Sequence, residues 1–138
     1  MTEQRQAPQA DEIVRVDGLY KKYAKKADWA VKNVSFSVRA GEIVGLLGHN
    51  GAGKSTTLRC LEGMLPFEGG SISVCGKNIV KESVAAKSNM GFVTDDHAVF
   101  VKMTGMQYIE FMADIYKVPA EERAPRLAAL EKVFALGE

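Results

Sequence analysis

With 46% hydrophobic and 25% charged residues among 138, the chain has the makeup of an ordinary soluble protein, long enough for one domain with its own core. A formal net charge of +1 supplies no basic excess, which argues against a protein built mainly to bind nucleic acid. No apolar run approaches the roughly 18 residues needed to span a membrane, and the opening MTEQRQAPQADE lacks the apolar core of a signal peptide.

Residues 1–12, rich in Gln, Ala and charge, are expected to form a disordered tail. Ile13, Val14 and Val16 begin a short strand, Asp17 and Gly18 signal a turn, and Leu19 and Tyr20 form a second apolar pair. Val34, Phe36 and Val38 alternate with Asn33, Ser35 and Ser37, which predicts a half-buried strand. Ala40 and Gly41 then turn the chain into EIVGLLG, an apolar run suited to a central strand covered on both faces. A helix is expected from Lys54, with Leu58, Leu61 and Leu65 on one face, broken by Pro66 and by Gly69 and Gly70. SISVCG alternates again with Ile72 and Val74 on one side, and residues 90–93 form another candidate strand.

After residue 101 the pattern becomes helical. Thr104 followed by Gln107 is a capping-box signature, and Tyr108, Phe111, Met112 and Ile115 make an apolar stripe. Pro119 closes that helix, Pro125 opens another bearing Leu127, Leu130 and Phe134, and Gly137 caps it. Cys60 and Cys75 have no C-x-x-C spacing and only two His accompany them, which argues against a structural zinc site and reads as two reduced thiols of a cytoplasmic protein.

Residues 45–58 read GLLGHNGAGKSTTL, in which Gly48, Gly53, Lys54 and Ser55 satisfy the phosphate-loop pattern G-x-x-x-x-G-K-[ST]. Gly48, Gly51 and Gly53 free the backbone to bring N–H groups to phosphate oxygens, and the following helix aims its positive end at the same anions. Lys54 adds charge at the β- and γ-phosphates, and Ser55 offers a hydroxyl to Mg²⁺. The pattern predicts a bound nucleoside triphosphate.

The flanking residues resemble one family, the ATP-binding subunits of ABC transporters, from about residue 13 to the end. The resemblance is carried by YKKY, by AVKNVSFSVRAGEIVGLLGHNGAGKSTTLRCLEGMLPFEGGSISVCG, and by MGFVTDDHAVFVKMTGMQYIEFMADIY, the last looking most like the drug-export and related branches. It implies an α/β fold, a P-loop NTPase core with an N-terminal antiparallel β part in residues 13–101, and the start of a helical subdomain in residues 102–138. It implies ATP and Mg²⁺ as cofactors, and a place on the inner face of the cell membrane through a transmembrane permease and a second nucleotide-binding subunit.

Residue by residue, Tyr23 matches the aromatic that stacks on adenine; by itself it reads as a surface tyrosine in a solvated, flexible run with Lys21, Lys22, Lys25 and Lys26. Asn50, Gly51, Ala52, Gly53, Lys54, Ser55 and Thr56 match the phosphate and magnesium contacts, and His49 is expected to orient backbone rather than act as a base. Asp95 falls where the family has a magnesium-reaching glutamine; it can accept from magnesium's waters, but its arm is shorter, charged and unable to donate as an amide does. Without the resemblance, Asp95 and Asp96 read as a solvated turn.

No apolar strand ending in Asp-Glu, S-G-G-Q signature or later switch histidine is recognisable, so the chain is expected to cover only the first half or so of the family's domain. Binding without hydrolysis is one reading that follows, with exposed strand edges and marginal solubility. In a third reading MGFVTDD delivers Asp95 or Asp96 to Mg²⁺ in a compact, complete enzyme.

Overall fold

The computed structural model describes residues 11–24, 28–93 and 102–134. The chain divides after Phe92 into two compact units. The first is built on a four-stranded antiparallel sheet in the order β2-β1-β3-β4, with β1 at Glu12–Lys21, β2 at Val31–Arg39, β3 at Gly69–Val74 and β4 at Lys77–Asn78. Two helices belong to it, α1 at Lys54–Leu61 and α2 at Ser83–Lys87.

Asp17 and Gly18 do not turn the chain; they form a bulge inside one continuous strand. Val16 pairs with Phe36 and Leu19 with Val34, so two residues of β1 oppose Ser35 alone, and Gly18 takes the left-handed φ of 58°. The Gly18 N–H donates to Ser35 Oγ at 2.8 Å. The extra residue resets the alternation, which is why Val16 and Leu19, three apart, both face the core. It also drives the Gly18 carbonyl to 2.3 Å from where a Cβ on Gly70 would sit, so only glycine fits there. Gly69 and Gly70 thus open β3 rather than end a helix.

The core gathers Val16, Leu19, Val31, Cys60, Ile72, Val74, Ile79 and Ala86, with Val34, Phe36, Leu61 and Leu65 packed around it. Burial of each Leu, Ile or Val contributes about 1.5–3 kcal/mol. Ile72 and Val74 face inward together, as the alternation predicts. α1 is shorter than its leucine spacing suggests. Gly63, with φ 65°, ends it: its N–H donates to Cys60 O at 3.0 Å and the Met64 N–H to Arg59 O at 2.9 Å. Leu65 therefore lies beyond the helix, Leu58 is 41% exposed, and the buried face is Thr57 and Cys60.

Two expected strands are not found among the described residues. Residues 42–49 join no ladder, and Ile43 and Leu47 are 98% and 93% exposed. Residues 90–93 join none either, although Met90 packs at the core's edge. An apolar run becomes a central strand only when neighbours on both sides take up its N–H and C=O groups, and β1 to β4 pair only with one another.

The second unit holds α3 at Gly105–Ile115 and α4 at Ala120–Phe134. The predicted capping box is present: the Gln107 N–H donates to Thr104 Oγ1 at 3.2 Å and the Thr104 N–H to Gln107 Oε1 at 2.9 Å. Tyr108 and Met112 are half-buried, while Phe111 and Ile115 are exposed. α4 begins at Ala120, so Pro125 lies inside it rather than opening it, and the ring leaves the Glu121 carbonyl without its helical donor. Arg123 secures the start of α4, donating from Nε to Val118 O at 2.9 Å and from Nη2 to Asp114 Oδ1 at 2.7 Å.

Candidate functional site: the phosphate loop

Gly53 sets the geometry of the loop. It is the N-cap of α1 with φ 86°, and a Cβ there would lie 2.3 Å from the Ala30 carbonyl oxygen and 3.2 Å from Val31 Cγ2. The loop therefore rests its backbone directly on the start of β2, and any side chain at this position would push it off. Across the loop, a Cβ on Gly48 would meet Ala52 Cβ at 2.9 Å, and the Ala52 N–H donates to His49 O at 3.1 Å. The His49 ring donates from Nδ1 to the Asn50 carbonyl at 2.8 Å, and so holds backbone.

Having no side chain, Gly53 leaves the first turn of α1 uncapped, and no acidic residue stands in that turn. The first α-helical bond at this end is Thr57 N–H to Gly53 O at 2.8 Å, reinforced by Thr57 Oγ1 to the same carbonyl at 2.9 Å. The N–H groups of Lys54, Ser55 and Thr56 have no intrahelical acceptor and carry the positive end of the helix dipole. Such an end draws anions.

Lys54 bends back over the loop and donates from Nζ to Gly48 O at 2.6 Å and to His49 O at 2.8 Å. Two of its three donors are thus spent on backbone, which fixes the ammonium at the loop's rim with one donor and its charge still to offer. Ser55 is exposed. Tyr23 reaches the same helix: its hydroxyl and Thr56 Oγ1 lie 3.0 Å apart, and 62% of Tyr23 is exposed. Tyr23 therefore touches the first turn of the helix that the loop opens. Asp95 lies outside the described residues.

The described residues include no group of three His, Cys, Asp or Glu placed to hold a metal. The Ser55 hydroxyl suits a Mg²⁺ held chiefly by phosphate oxygens and waters. On the buried side of α1, burial pushes the Cys60 thiol up, partly offset by Lys21, so this cysteine serves packing rather than chemistry.

Sequence reasoning missed two residues beside the site. Lys21 is not solvated: it is 5% exposed, and its Nζ pairs with Glu68 Oε1 at 3.2 Å. Glu68 carries no local signal, because its partners lie 46 and 47 positions away.

The family profile described as ABC transporter matches residues 31–134. The chain belongs to the ABC transporter family. It is 36% identical over 126 residues to the linearmycin resistance ATP-binding protein LnrL of Bacillus subtilis, covering 91% of this chain and 40% of that protein. It is equally 36% identical over 119 residues to a fluoroquinolones export ATP-binding protein of Mycobacterium tuberculosis, covering 86% of this chain and 40% of the relative. Among solved structures, an ATP-binding subunit of an ABC transporter superposes with a TM-score of 0.83 at 27% identity, covering 90% of this chain and 51% of the other. CbiO1 of Clostridium perfringens, part of the cbiONQ transporter complex, superposes with a TM-score of 0.71 at 28% identity, covering 88% of this chain and 50% of the other. The sheet and helices described above are thus part of an ABC-type P-loop ATPase domain, a nucleotide-binding fold. The chain spans about two fifths of the length of these protein relatives.

Proposed function

We propose that the chain binds ATP through the phosphate loop and Tyr23, as the phosphate-holding part of an ATPase subunit that drives a membrane transporter. The observation that carries this reading is the uncapped first turn of α1 beneath the tethered Lys54 ammonium, with Tyr23 joined to the same helix through Thr56. The backbone N–H groups of Asn50, Gly51, Gly53 and the first turn of α1 hold the phosphate chain, while the Ala52 N–H turns the loop through His49 O. Lys54 moves its charge onto the β- and γ-phosphates; two unit charges about 4 Å apart attract by roughly 4 kcal/mol at an effective dielectric of about 20. Thr56 holds the Tyr23 ring where it stacks on adenine.

Mg²⁺ bound with ATP would neutralise phosphate charge; Ser55 would contribute a hydroxyl to it, and Asp95 would accept from its waters. Hydrolysis belongs to the complete protein, which works with a permease and a second nucleotide-binding subunit at the inner face of the cell membrane. No helix among the described residues is long and apolar enough to cross a membrane. The names of the two relatives above, linearmycin resistance and fluoroquinolones export, support the drug-export and related branches.

The test is nucleotide binding by Lys54→Ala. Its affinity for Mg-ATP, measured by titration calorimetry, is expected to fall by about two orders of magnitude or more. Unchanged affinity would overturn the site. Steady-state phosphate release by the chain alone would instead favour a compact, complete enzyme.

A further inference from the structure

Glu68 was given no role of its own in the sequence, yet three consecutive residues of the strand end before Tyr23 bind to it. Its own N–H donates to Tyr20 O at 2.9 Å, its Oε1 accepts from Lys21 Nζ at 3.2 Å, and its Oε2 accepts from the Lys22 N–H at 2.9 Å. The Lys22 N–H, aided by Lys21, holds the Glu68 carboxyl below the ordinary carboxylate range against some desolvation, so the clamp is charged throughout the neutral region.

The same strand end is held from its other side. Ala30 N–H donates to Lys21 O at 2.8 Å, Lys22 Nζ lies 4.8 Å from the centroid of the Trp29 ring, and Trp29 packs edge-on against Tyr20 with centroids 5.2 Å apart. Lys21 Nζ, drawn in by Glu68, lies 5.8 Å from the centroid of the Tyr23 ring. The connection from β1 to β2 is therefore anchored at both ends, and Tyr23 leaves from the anchored residues with its hydroxyl on Thr56.

A ring that must be ordered when the base arrives lowers apparent affinity by the fraction of time it is out of place. We propose that Glu68 is a positioning residue for base recognition: its carboxylate fixes the strand end that presents Tyr23, and so sets affinity for the adenine moiety without touching the nucleotide. This rests on the reading that Tyr23 stacks on adenine.

The test measures dissociation constants of the whole chain for Mg-ATP and for inorganic tripolyphosphate, which shares the phosphates but has no base. Tyr23→Ala, the control for the reading, is expected to weaken Mg-ATP about tenfold and tripolyphosphate less than twofold. Glu68→Ala is expected to weaken Mg-ATP about fivefold, again sparing tripolyphosphate. Glu68→Ala also strands the Lys21 ammonium, so the double variant Lys21→Met with Glu68→Leu, which buries no unpaired charge, provides a stable second case with the same expected split. Trp29, the chain's one tryptophan, reports on the anchor, and its emission should become easier to quench by acrylamide in both variants.

The inference is overturned if Tyr23→Ala weakens Mg-ATP while the double variant stays within about twofold of the native chain. Parallel losses of ATP and tripolyphosphate would also overturn it, since they mark general damage to the loop. If Tyr23→Ala leaves Mg-ATP binding unchanged, the adenine reading itself fails, and the role of Glu68 falls with it.

Discussion

Glu62 follows the last turn of α1 with only 7% of its surface exposed, and its Oε2 has no hydrogen-bond partner among the described residues. Burial pushes its carboxyl above the ordinary range, and Arg59 offsets part of that push. A carboxyl raised in this way binds its proton more tightly in the folded chain than in the unfolded one. Its charge therefore costs stability above the folded value, and the cost disappears once the pH falls below the unfolded value of about 4.3. Glu62→Gln should raise the melting temperature near neutral pH, and the gain should shrink as the pH falls through that window. Thermal melts across the acid range check this; a constant offset would show that charge is not the cause.

At the scale of elements, α3 owes its N-terminus to two side chains. Thr104→Ala removes the acceptor of the Gln107 N–H and is expected to cost about 1 kcal/mol. Faster hydrogen exchange at the first amides of α3, with the β-sheet amides unaffected, is the expected signature. This capping box was legible in the sequence because all its atoms lie within four residues. The phosphate-loop pattern is local too, since Lys54 acts on the backbone of Gly48 and His49, but the seat of Gly53 on Ala30 had no local signal. Asp17 and Gly18 were misread because a left-handed glycine serves a turn and a bulge alike. Only Ser35, on another strand, decides between them. Lys21 looked solvated in a lysine-rich run until Glu68, far along the chain, gave its buried ammonium a partner. α1 stops early because Gly63 offers a left-handed cap before Pro66 is reached.

At the scale of the whole molecule, an apolar segment of the described chain lies uncovered just before the phosphate loop. Residues 42–49 present Ile43 and Leu47 to solvent together with backbone groups that no strand takes up. Such a segment templates edge-to-edge association. Ile43→Lys should lower light scattering of the chain and raise its soluble yield, while leaving Mg-ATP affinity within about twofold, since the substitution lies outside the loop. Equal scattering would place the adhesive surface elsewhere. The bulge at Gly18 has a wider reach than its size suggests. Strand β1 is written in two phases, with Val14 and Val16 inward before Gly18 and Leu19 and Lys21 inward after it. Deleting that one glycine would do more than shorten the strand. It would turn its second half over, sending Leu19 to solvent, pulling Lys21 off Glu68, and swinging Tyr23 away from the helix it now touches.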